Sequence, residues 1–405
     1  MSAHPQTATD PHHANPRSGK PDDTPVTQTP TTSKLSWADR FRQWKIRKIA
    51  SPAFRRMALR NPLTRPTSNK HANALYAMTA GFVHSQILRA CVELDILVQL
   101  YKSEASTQTL AVATGVPEDR LERLLRAAEA LDLVSQLGSQ PIWTIGEKGA
   151  VVATNPGIRA LVMHHGDVYN DIADISGLLK NPCAETKTAK FWAYVDAASG
   201  PQDVERVDAA RYSQLMRVTQ DMVIDEVLAC HSFAPYSSLI DVGGGSGAFI
   251  TAAAKANPAM QIGLIDLPPV AAEARNALSA APFADRLHIH GGSFFDSEIP
   301  KDADCYTLVR VLYDHGDDAA IAILKNIRKS MSPSDTLLIA EPMAGKSAGE
   351  KQAAAYFHIY LLAMRSGRCR SANDHFKLLK AAGFTRFSRV RTHLPVATGL
   401  ITAKI

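Results

Sequence analysis

The sequence lacks paired cysteines and long hydrophobic runs. Its five cysteines are spread over 405 residues and never form a C-x-x-C pair, which argues against a disulfide framework or a zinc site. No stretch approaches the roughly 18 consecutive apolar residues of a membrane-spanning helix, and the first residues contain no signal-peptide core. We therefore expect a globular, cytoplasmic protein that binds no metal.

The N-terminal residues also lack what a folded core needs. Residues 1–34 have almost no large apolar side chain and are rich in Pro, Thr, Ser and His, so they are predicted to form a disordered tail. Residues 35–65 carry nine basic residues and one acid, Asp39, interleaved with Trp, Phe and Ile. This leader is predicted to be a basic amphipathic helix that packs on the protein body, contacts an anionic membrane, or binds nucleic acid.

Residues 70–155 have the outline of a winged-helix domain. A helix-turn-helix pattern in "TQTLAVATGVPEDRLERLLRAAEALDLV" precedes a hairpin with a Gly-rich tip in "SQLGSQPIWTIGEKG". The candidate recognition helix, residues 117–131, mixes three arginines with four acids, so it offers no phosphate-binding stripe. Dimerisation or a lid function is favoured over DNA binding.

The remaining chain indicates a helical segment and then an α/β domain. Residues 156–236 are helical, with histidines and aromatics that either line a substrate pocket or pack as core. In residues 237–405, apolar strands alternate with helical stretches, which predicts a mostly parallel sheet with helices on both faces. The final residues, "FSRVRTHLPVATGLITAKI", predict two closely spaced strands at an antiparallel edge.

The strongest chemical signal is "LIDVGGGSGAF", where an apolar strand meets four glycines and then a helix. Gly243, Gly245 and Gly247 allow a tight turn and leave no side chain between the loop and a ligand at the helix N-terminus. Asp241 precedes them, and Asp266 ends the next strand, where an acid can accept both ribose hydroxyls. The spacing fits both NAD and S-adenosylmethionine, but Asp241 suits the cationic amino-acid end of S-adenosylmethionine and would repel a pyrophosphate.

The motifs "DVGGGSGAF", "IDLPPV", "GGSFF", "VLYDHGDD", "LLIAEPM" and "AAGF" occur in an order that resembles the class I O-methyltransferases, which include caffeic acid methyltransferases. The resemblance covers about residues 75–405. It implies a Rossmann-like domain with a mostly parallel seven-stranded sheet, preceded by a winged-helix domain through which two copies dimerise. "RVLYDHGDD", "AEPMAG", "YFHIYLLAMRSGR" and "PAFRRMALRNPLTRP" resemble the hydroxyneurosporene and demethylspheroidene O-methyltransferases of carotenoid synthesis.

The resemblance also implies roles for the cofactor residues. The loop from Gly243 to Gly247 would bind S-adenosylmethionine, Asp266 would hold its ribose, and Leu267 would lie beside the adenosine. Ser293 and Phe294 occupy the family's adenine positions, where a hydroxyl replaces an acid and an aromatic face appears. A family lysine is absent, because its position is Val309.

The catalytic positions depart from the family pattern. The histidine that takes the substrate proton in the family is Tyr313 here, followed by Asp314 and His315. Glu341 keeps one companion acid, but the second acid is replaced by Cys369. Since a tertiary alcohol is too weakly acidic to lose its proton before methyl transfer, rate would come mainly from alignment in a dry pocket.

We therefore predict that Tyr313 orients a substrate hydroxyl and that Asp314 or His315 relays its proton. Asp314 bonded to backbone and His315 solvated at a helix start are the structural alternatives. His358 is a replacement base or a core histidine. The predicted substrate is an acyclic hydroxycarotenoid, and the alternative substrate is an aromatic or polyketide hydroxyl. An alternative of another class is a winged-helix regulator that binds the donor without turnover.

Overall fold

The computed structural model describes residues 36–191 and 206–405. These residues belong to two compact units that divide after Gly81, which lies inside the predicted 70–155 domain. The tail predicted over residues 1–34, and part of the predicted linker, lie outside the described residues. In the described part of the chain, no helix has the length and apolar character needed to cross a membrane.

The described part of the first unit, residues 36–81, contains three helices: α1 (Trp37–Ala50), α2 (Pro52–Arg60) and α3 (Arg65–Thr79). The predicted basic amphipathic helix is present as α1, but it ends at Ser51 and a second helix follows, so the leader is not one continuous helix. The Ser51 hydroxyl caps α2 by accepting a hydrogen bond from the amide of Phe54 at 3.4 Å. Pro52 follows at the first helical position, where no amide hydrogen is needed.

The second unit begins with the predicted winged-helix outline. A three-stranded antiparallel sheet has β3 (Ile142–Ile145) between β1 (Ala105–Ser106) and β2 (Val134–Gln136). The Trp143 indole is 1% exposed and donates to the hydroxyl of Thr107 at 2.9 Å. The surrounding helices are α4 (Gly81–Glu93), α5 (Ile96–Lys102), α6 (Thr107–Thr114), α7 (Glu118–Glu129) and α8 (Glu147–Thr154).

In the described residues between 156 and 236, four helices precede the α/β part of the unit. They are α9 (Pro156–Asp171), α10 (Ile175–Lys180), α11 (Lys187–Phe191) and α12 (Arg206–Cys230). Asn155 caps α9 by accepting a hydrogen bond from the amide of Ile158 at 3.0 Å. Of these helices, α9 and α12 contact each other most extensively.

A seven-stranded sheet forms the rest of the second unit, in the order β11-β12-β8-β7-β4-β5-β6. Strands β4 to β8 pair in parallel, while β12 and the edge strand β11 are antiparallel, so the predicted sheet and edge are confirmed. The strands are β4 (Ser238–Val242), β5 (Gln261–Asp266), β6 (Leu287–Gly291), β7 (Cys305–Val309), β8 (Thr336–Glu341), β11 (Arg386–Val390) and β12 (Gly399–Lys404).

Helices between these strands complete the layers: α13 (Ala248–Ala256), α14 (Pro268–Leu278), α15 (Asp317–Ser330), α16 (Ala348–Met364) and α17 (Ala372–Ala381). A short parallel pair, β9 (Met343–Ala344) with β10 (Arg370–Ser371), lies beside the sheet. Strands β7 and β8 are buried throughout, as expected for central strands covered on both faces. The strand order reverses between β4 and β7, and ligands of such sheets bind at the carboxyl ends of these strands.

Candidate active site

The glycine loop after β4 has left-handed backbone geometry at three positions. The φ angles are 75° at Gly243, 56° at Gly245 and 81° at Gly247, a region that favours glycine. A Cβ at Gly243 would lie 3.0 Å from the side chain of Val311, while a Cβ at Gly245 would have no described atom within 4 Å. The loop is therefore an open backbone cradle at the N-terminus of α13, as the sequence predicts.

Asp266 joins this loop to the end of β5. Its carboxylate accepts hydrogen bonds from the amides of Gly245 and Leu267, each at 2.7 Å. Burial raises the pKa of Asp266, against the lowering effect of these two bonds. The position is suited to a ribose, but in the structure the observed role of Asp266 is to hold the loop.

Asp241 lies beneath the loop and is 1% exposed. One carboxylate oxygen accepts a hydrogen bond from the Thr307 hydroxyl at 2.6 Å, and the other has no partner among the described residues. Burial raises the pKa of Asp241 to about 7. A buried carboxylate oxygen without a partner fits a ligand that brings a positive charge, as S-adenosylmethionine does.

Phe294 places an aromatic ring near the loop, because a Cβ at Gly243 would lie 3.5 Å from it. Ser293 shapes the turn that holds this ring: its amide donates to the Ser297 hydroxyl at 2.8 Å, and its own hydroxyl accepts from the amide of Phe295 at 3.2 Å. The Ser293 hydroxyl is therefore engaged locally, in addition to any contact with adenine.

The central residues of the segment "RVLYDHGDD" are buried. Tyr313, Asp314 and His315 are 2%, 6% and 7% exposed, so the reading of His315 as a solvated helix-start residue is wrong. Its ring packs against Phe294 and Phe295, with ring centroids 5.6 and 5.4 Å away. Burial lowers the pKa of His315 to about 4, so its imidazole is neutral at physiological pH.

The Tyr313 ring packs edge-on against Phe357 at 5.7 Å. Its hydroxyl interacts with the guanidinium of Arg310 and with the carboxyl of Asp314. Burial raises the pKa of both Tyr313 and Asp314, and Arg310 opposes this rise. The interaction with Tyr313 disagrees with the alternative in which Asp314 bonds only to backbone.

Arg310 is a site residue that the sequence analysis missed. It has a φ of 59°, an uncommon conformation for a residue with a side chain. Its guanidinium donates to the Thr219 hydroxyl of α12 at 3.0 Å. No local sequence pattern predicts this positive φ. The Arg310 guanidinium places a positive charge beside the Tyr313 hydroxyl.

Glu341 supports the motif from the end of β8. One carboxylate oxygen accepts a hydrogen bond from the amide of Tyr313 at 3.1 Å, and the other lies 3.1 Å from Nε2 of His375. The second contact has the distance of an ion pair but lacks the angle of a hydrogen bond. Both side chains are fully buried, and His375 is a neighbour that the sequence analysis did not identify.

Arg370, in "GRCRS", fixes the motif backbone. Its guanidinium is 1% exposed and donates to the carbonyl oxygens of Leu312 at 2.8 Å and His315 at 2.7 Å, and to the Asp317 carboxylate at 2.8 Å. Next to it, burial raises the pKa of the Cys369 thiol to about 11. The family's second acid is therefore replaced by a neutral thiol beside an arginine clamp.

Helices α9 and α16 form an aromatic wall on the Tyr313 side. The Nε2 atoms of His164 and His165 lie 2.7 and 2.8 Å from the hydroxyls of Tyr360 and Tyr356. His358 lies on the exposed face of α16, so its interpretation as a core histidine is wrong. The buried residues that pack together here are Val168, Leu215, Tyr313, Tyr360, Leu361, Met364 and Cys369.

Comparisons with known proteins identify the domains of this chain. Residues 179–385 match the O-methyltransferase domain family, and residues 76–146 match the O-methyltransferase dimerisation domain. Demethylspheroidene O-methyltransferase of Cereibacter sphaeroides is 36% identical over 88% of this chain and 93% of its own. The enzyme of that name from Rhodobacter capsulatus is 39% identical, over 87% of this chain and 86% of its own.

A crystal structure of a calicheamicin-biosynthesis methyltransferase with bound S-adenosylhomocysteine is 25% identical to this chain. It covers 83% of this chain and 98% of its own, with a TM-score of 0.70. The predicted fold and methyl donor are thereby confirmed. The chain belongs to the S-adenosylmethionine-dependent O-methyltransferases and carries their dimerisation domain.

Proposed function

We propose that the protein methylates the tertiary 1-hydroxyl of an acyclic hydroxycarotenoid, giving a methoxy carotenoid and S-adenosylhomocysteine. The observation that carries this proposal is the 36% and 39% identity with the two demethylspheroidene O-methyltransferases over most of the chain. The aromatic and apolar wall around Tyr313 supports it, because a polyene requires an apolar pocket.

The donor is held by residues at the ends of β4 and β5. Bound S-adenosylmethionine supplies an electrophilic methyl group. The Gly243–Gly247 loop, with Asp241 beneath it, cradles the amino-acid end of the donor. Asp266 and Leu267 hold the ribose and adenosine, and the Ser293–Phe294 turn faces the adenine. This assignment is supported by the unpartnered oxygen of Asp241 and the open side of Gly245.

The acceptor side relies on alignment rather than on a histidine base. The Tyr313 hydroxyl hydrogen bonds to the substrate hydroxyl and aligns its oxygen for attack. As that oxygen gains the methyl group it becomes strongly acidic, and its proton passes through Tyr313 to Asp314. Burial raises the pKa of Asp314, while the charge of Arg310 favours the ionised form that can accept this proton.

The roles of the neighbouring residues follow from their contacts. His315, whose ring packs against Phe294 and Phe295, belongs to a separate aromatic cluster near the glycine loop and does not relay the proton from Tyr313. Glu341 holds the Tyr313 amide and thereby positions the ring.

A methylation assay with labelled donor tests the substrate. Purified full-length protein is offered a lipid-dispersed acyclic hydroxycarotenoid and, in parallel, a phenolic acceptor, with Tyr313→Phe as the comparison variant. We expect label in the methoxy carotenoid. Label in the phenol but never in the carotenoid would establish the alternative, an aromatic or polyketide acceptor.

The third function that the sequence allows, a regulator that binds DNA, has little support in α7. Arg126 lies 3.5 Å from both Glu122 and Glu129 and stacks over the ring of Trp143 at 5.0 Å. Its charge is therefore engaged within the domain. If the protein is not retained on a DNA column at low salt, while a basic control protein is retained, the regulator hypothesis is refuted.

We also propose that residues 35–65 bring the enzyme to the inner face of the photosynthetic or cytoplasmic membrane, where a carotenoid resides. The rings of Trp37, Phe41 and Trp44 stack along α1 with centroids 5.7 Å apart, and are 80%, 51% and 55% exposed. Exposed aromatics among basic side chains suit an anionic lipid surface. A variant lacking residues 35–65 is expected to lose sedimentation with anionic vesicles, and unchanged sedimentation would refute this role.

The dimerisation domain supports a homodimer as the working state. Large apolar side chains on its surface favour a second copy as the partner, including Phe82 at 73% and Val112 at 82% exposed. Light scattering of the purified protein is expected to give twice the chain mass, and the monomer mass would contradict the proposal.

A further inference from the structure

Three side chains with metal-binding atoms meet away from the proposed active site. Glu226 and Cys230 lie one turn apart near the C-terminal end of α12, and His393 lies in the connection between β11 and β12. The Cys230 sulfur is 3.2 Å from Oε1 of Glu226 and 3.3 Å from Nδ1 of His393. The third separation, from Nδ1 of His393 to Oε1 of Glu226, is 3.8 Å.

These separations match those of ligands around a tetrahedral zinc ion. Zinc bond lengths and tetrahedral angles place sulfur about 3.5 Å from a nitrogen or oxygen ligand, and nitrogen about 3.3 Å from oxygen. The observed values of 3.2, 3.3 and 3.8 Å differ from these by about 0.2–0.5 Å, so the three side chains would have to adjust by that amount to bind the ion. The thiolate and carboxylate together neutralise a divalent cation.

The cluster is also supported by neighbouring contacts. Glu226 is 8% exposed, and its carboxylate accepts hydrogen bonds from the amides of His393 and Leu394, the latter at 2.8 Å. Backbone bonds of this kind hold a ligand in place before the metal arrives. His393 is 72% exposed, which leaves a solvent-facing position for water, in a shallow depression that Arg391 also lines.

We propose that Glu226, Cys230 and His393 form a zinc site that ties the end of α12 to the β11–β12 connection. The site would stabilise the fold, with water as its fourth ligand. It departs from the sequence-based expectation of no metal. Cys230 and His393 are 163 residues apart, so no metal-binding spacing is visible in the sequence.

Zinc titration of the chelator-treated, full-length protein tests the site. We expect one equivalent to bind per chain in competition with a chromogenic chelator, and the melting temperature to rise with zinc concentration. Cobalt, used as a probe, is expected to give a sulfur-to-metal charge-transfer band. Cys230→Ser and His393→Gln should each weaken zinc binding at least tenfold and remove the cobalt band.

The matched controls replace a cysteine and a histidine that lie outside the cluster. Cys183 and His290 are exposed, and Cys183→Ser and His290→Gln should bind zinc as the wild type does. Failure of the wild type to bind more zinc than Cys230→Ser, or loss of binding in Cys183→Ser instead, would overturn the proposal. None of these measurements depends on methyl-transfer activity.

Discussion

The donor half and the acceptor half of the proposed active site are built differently. In the donor half, the glycine loop and Asp266 lie within one strand-helix-strand unit, and the contacts are made mostly by backbone amides. In the acceptor half, Tyr313 and its neighbours depend on side chains from α12, β8, β10 and α16. The contacting residues lie far apart in the sequence, 91 residues in the case of Arg310 and Thr219.

This difference explains why the donor could be identified from residue patterns and the acceptor could not. A backbone cradle needs glycine at particular positions, whatever surrounds it. The pKa values of Tyr313 and Asp314, by contrast, depend on burial and on the charge of Arg310. Substitutions that affect one half and spare the other test the distinction.

The largest effect is expected for Arg370→Ala. Loss of this buried guanidinium leaves the carbonyl oxygens of Leu312 and His315 unpaired, so the free energy of unfolding should fall by about 3–5 kcal/mol. Chemical denaturation measures the change. Arg368→Ala is the control, because Arg368 pairs with the same Asp317 at 3.2 Å but is 66% exposed, and its loss should cost about 1 kcal/mol or less. Equal effects would refute the clamp.

Tyr313→Phe should lower kcat about a hundredfold, as expected for loss of one positioned hydroxyl, and leave the dissociation constant of the donor unchanged. Single-turnover methylation and donor titration separate the two quantities. Tyr306→Phe is the matched control, because this buried hydroxyl of β7 donates to the carbonyls of Pro300 at 2.9 Å and Ser330 at 3.1 Å. It should affect stability and leave kcat intact. Wild-type kcat in Tyr313→Phe would contradict the role of the hydroxyl.

A smaller effect, confined to the donor half, is expected for Gly245→Ala. A side chain at a φ of 56° costs about 1–2 kcal/mol of stability, and its Cβ enters the cradle, so donor affinity should fall about tenfold. Gly115→Ala provides the comparison, because Gly115 has a φ of 70° and equally open surroundings. Both variants should lose stability, but weaker donor binding in both would show that the cradle is not the cause.

The smallest effect concerns pH. The pKa of Asp241 is raised to about 7 by burial, so the carboxyl is protonated below that pH and loses its attraction for the donor's ammonium group. Affinity for the donor should therefore fall by about fivefold as pH decreases from 7.5 to 6. The donor's α-amino group titrates at about 7.7–8.0 and is mostly charged over this range, so the protonation of Asp241 dominates the change. Calorimetric titration measures this pH dependence, and Asp241→Asn should bind the donor weakly at every pH. A pH-independent wild-type affinity would disprove this role.

The sequence predicted the sheet strands, the winged-helix outline and the glycine loop because each has a local pattern. The break at Ser51 was missed, although a serine before a proline is a helix-start signal. Arg310, Arg370 and His375 were missed for a different reason. Their importance comes from burial and from contacts with distant segments, which residue spacing does not encode.

We propose that a tyrosine in place of the family's histidine adapts the site to a weakly acidic alcohol. The most direct test is the ratio of kcat/KM for a hydroxycarotenoid to kcat/KM for a phenol, measured in the wild type and in Tyr313→His. The ratio should fall at least tenfold in the variant, since an imidazole can deprotonate a phenol but not a tertiary alcohol. An unchanged ratio would contradict the claim.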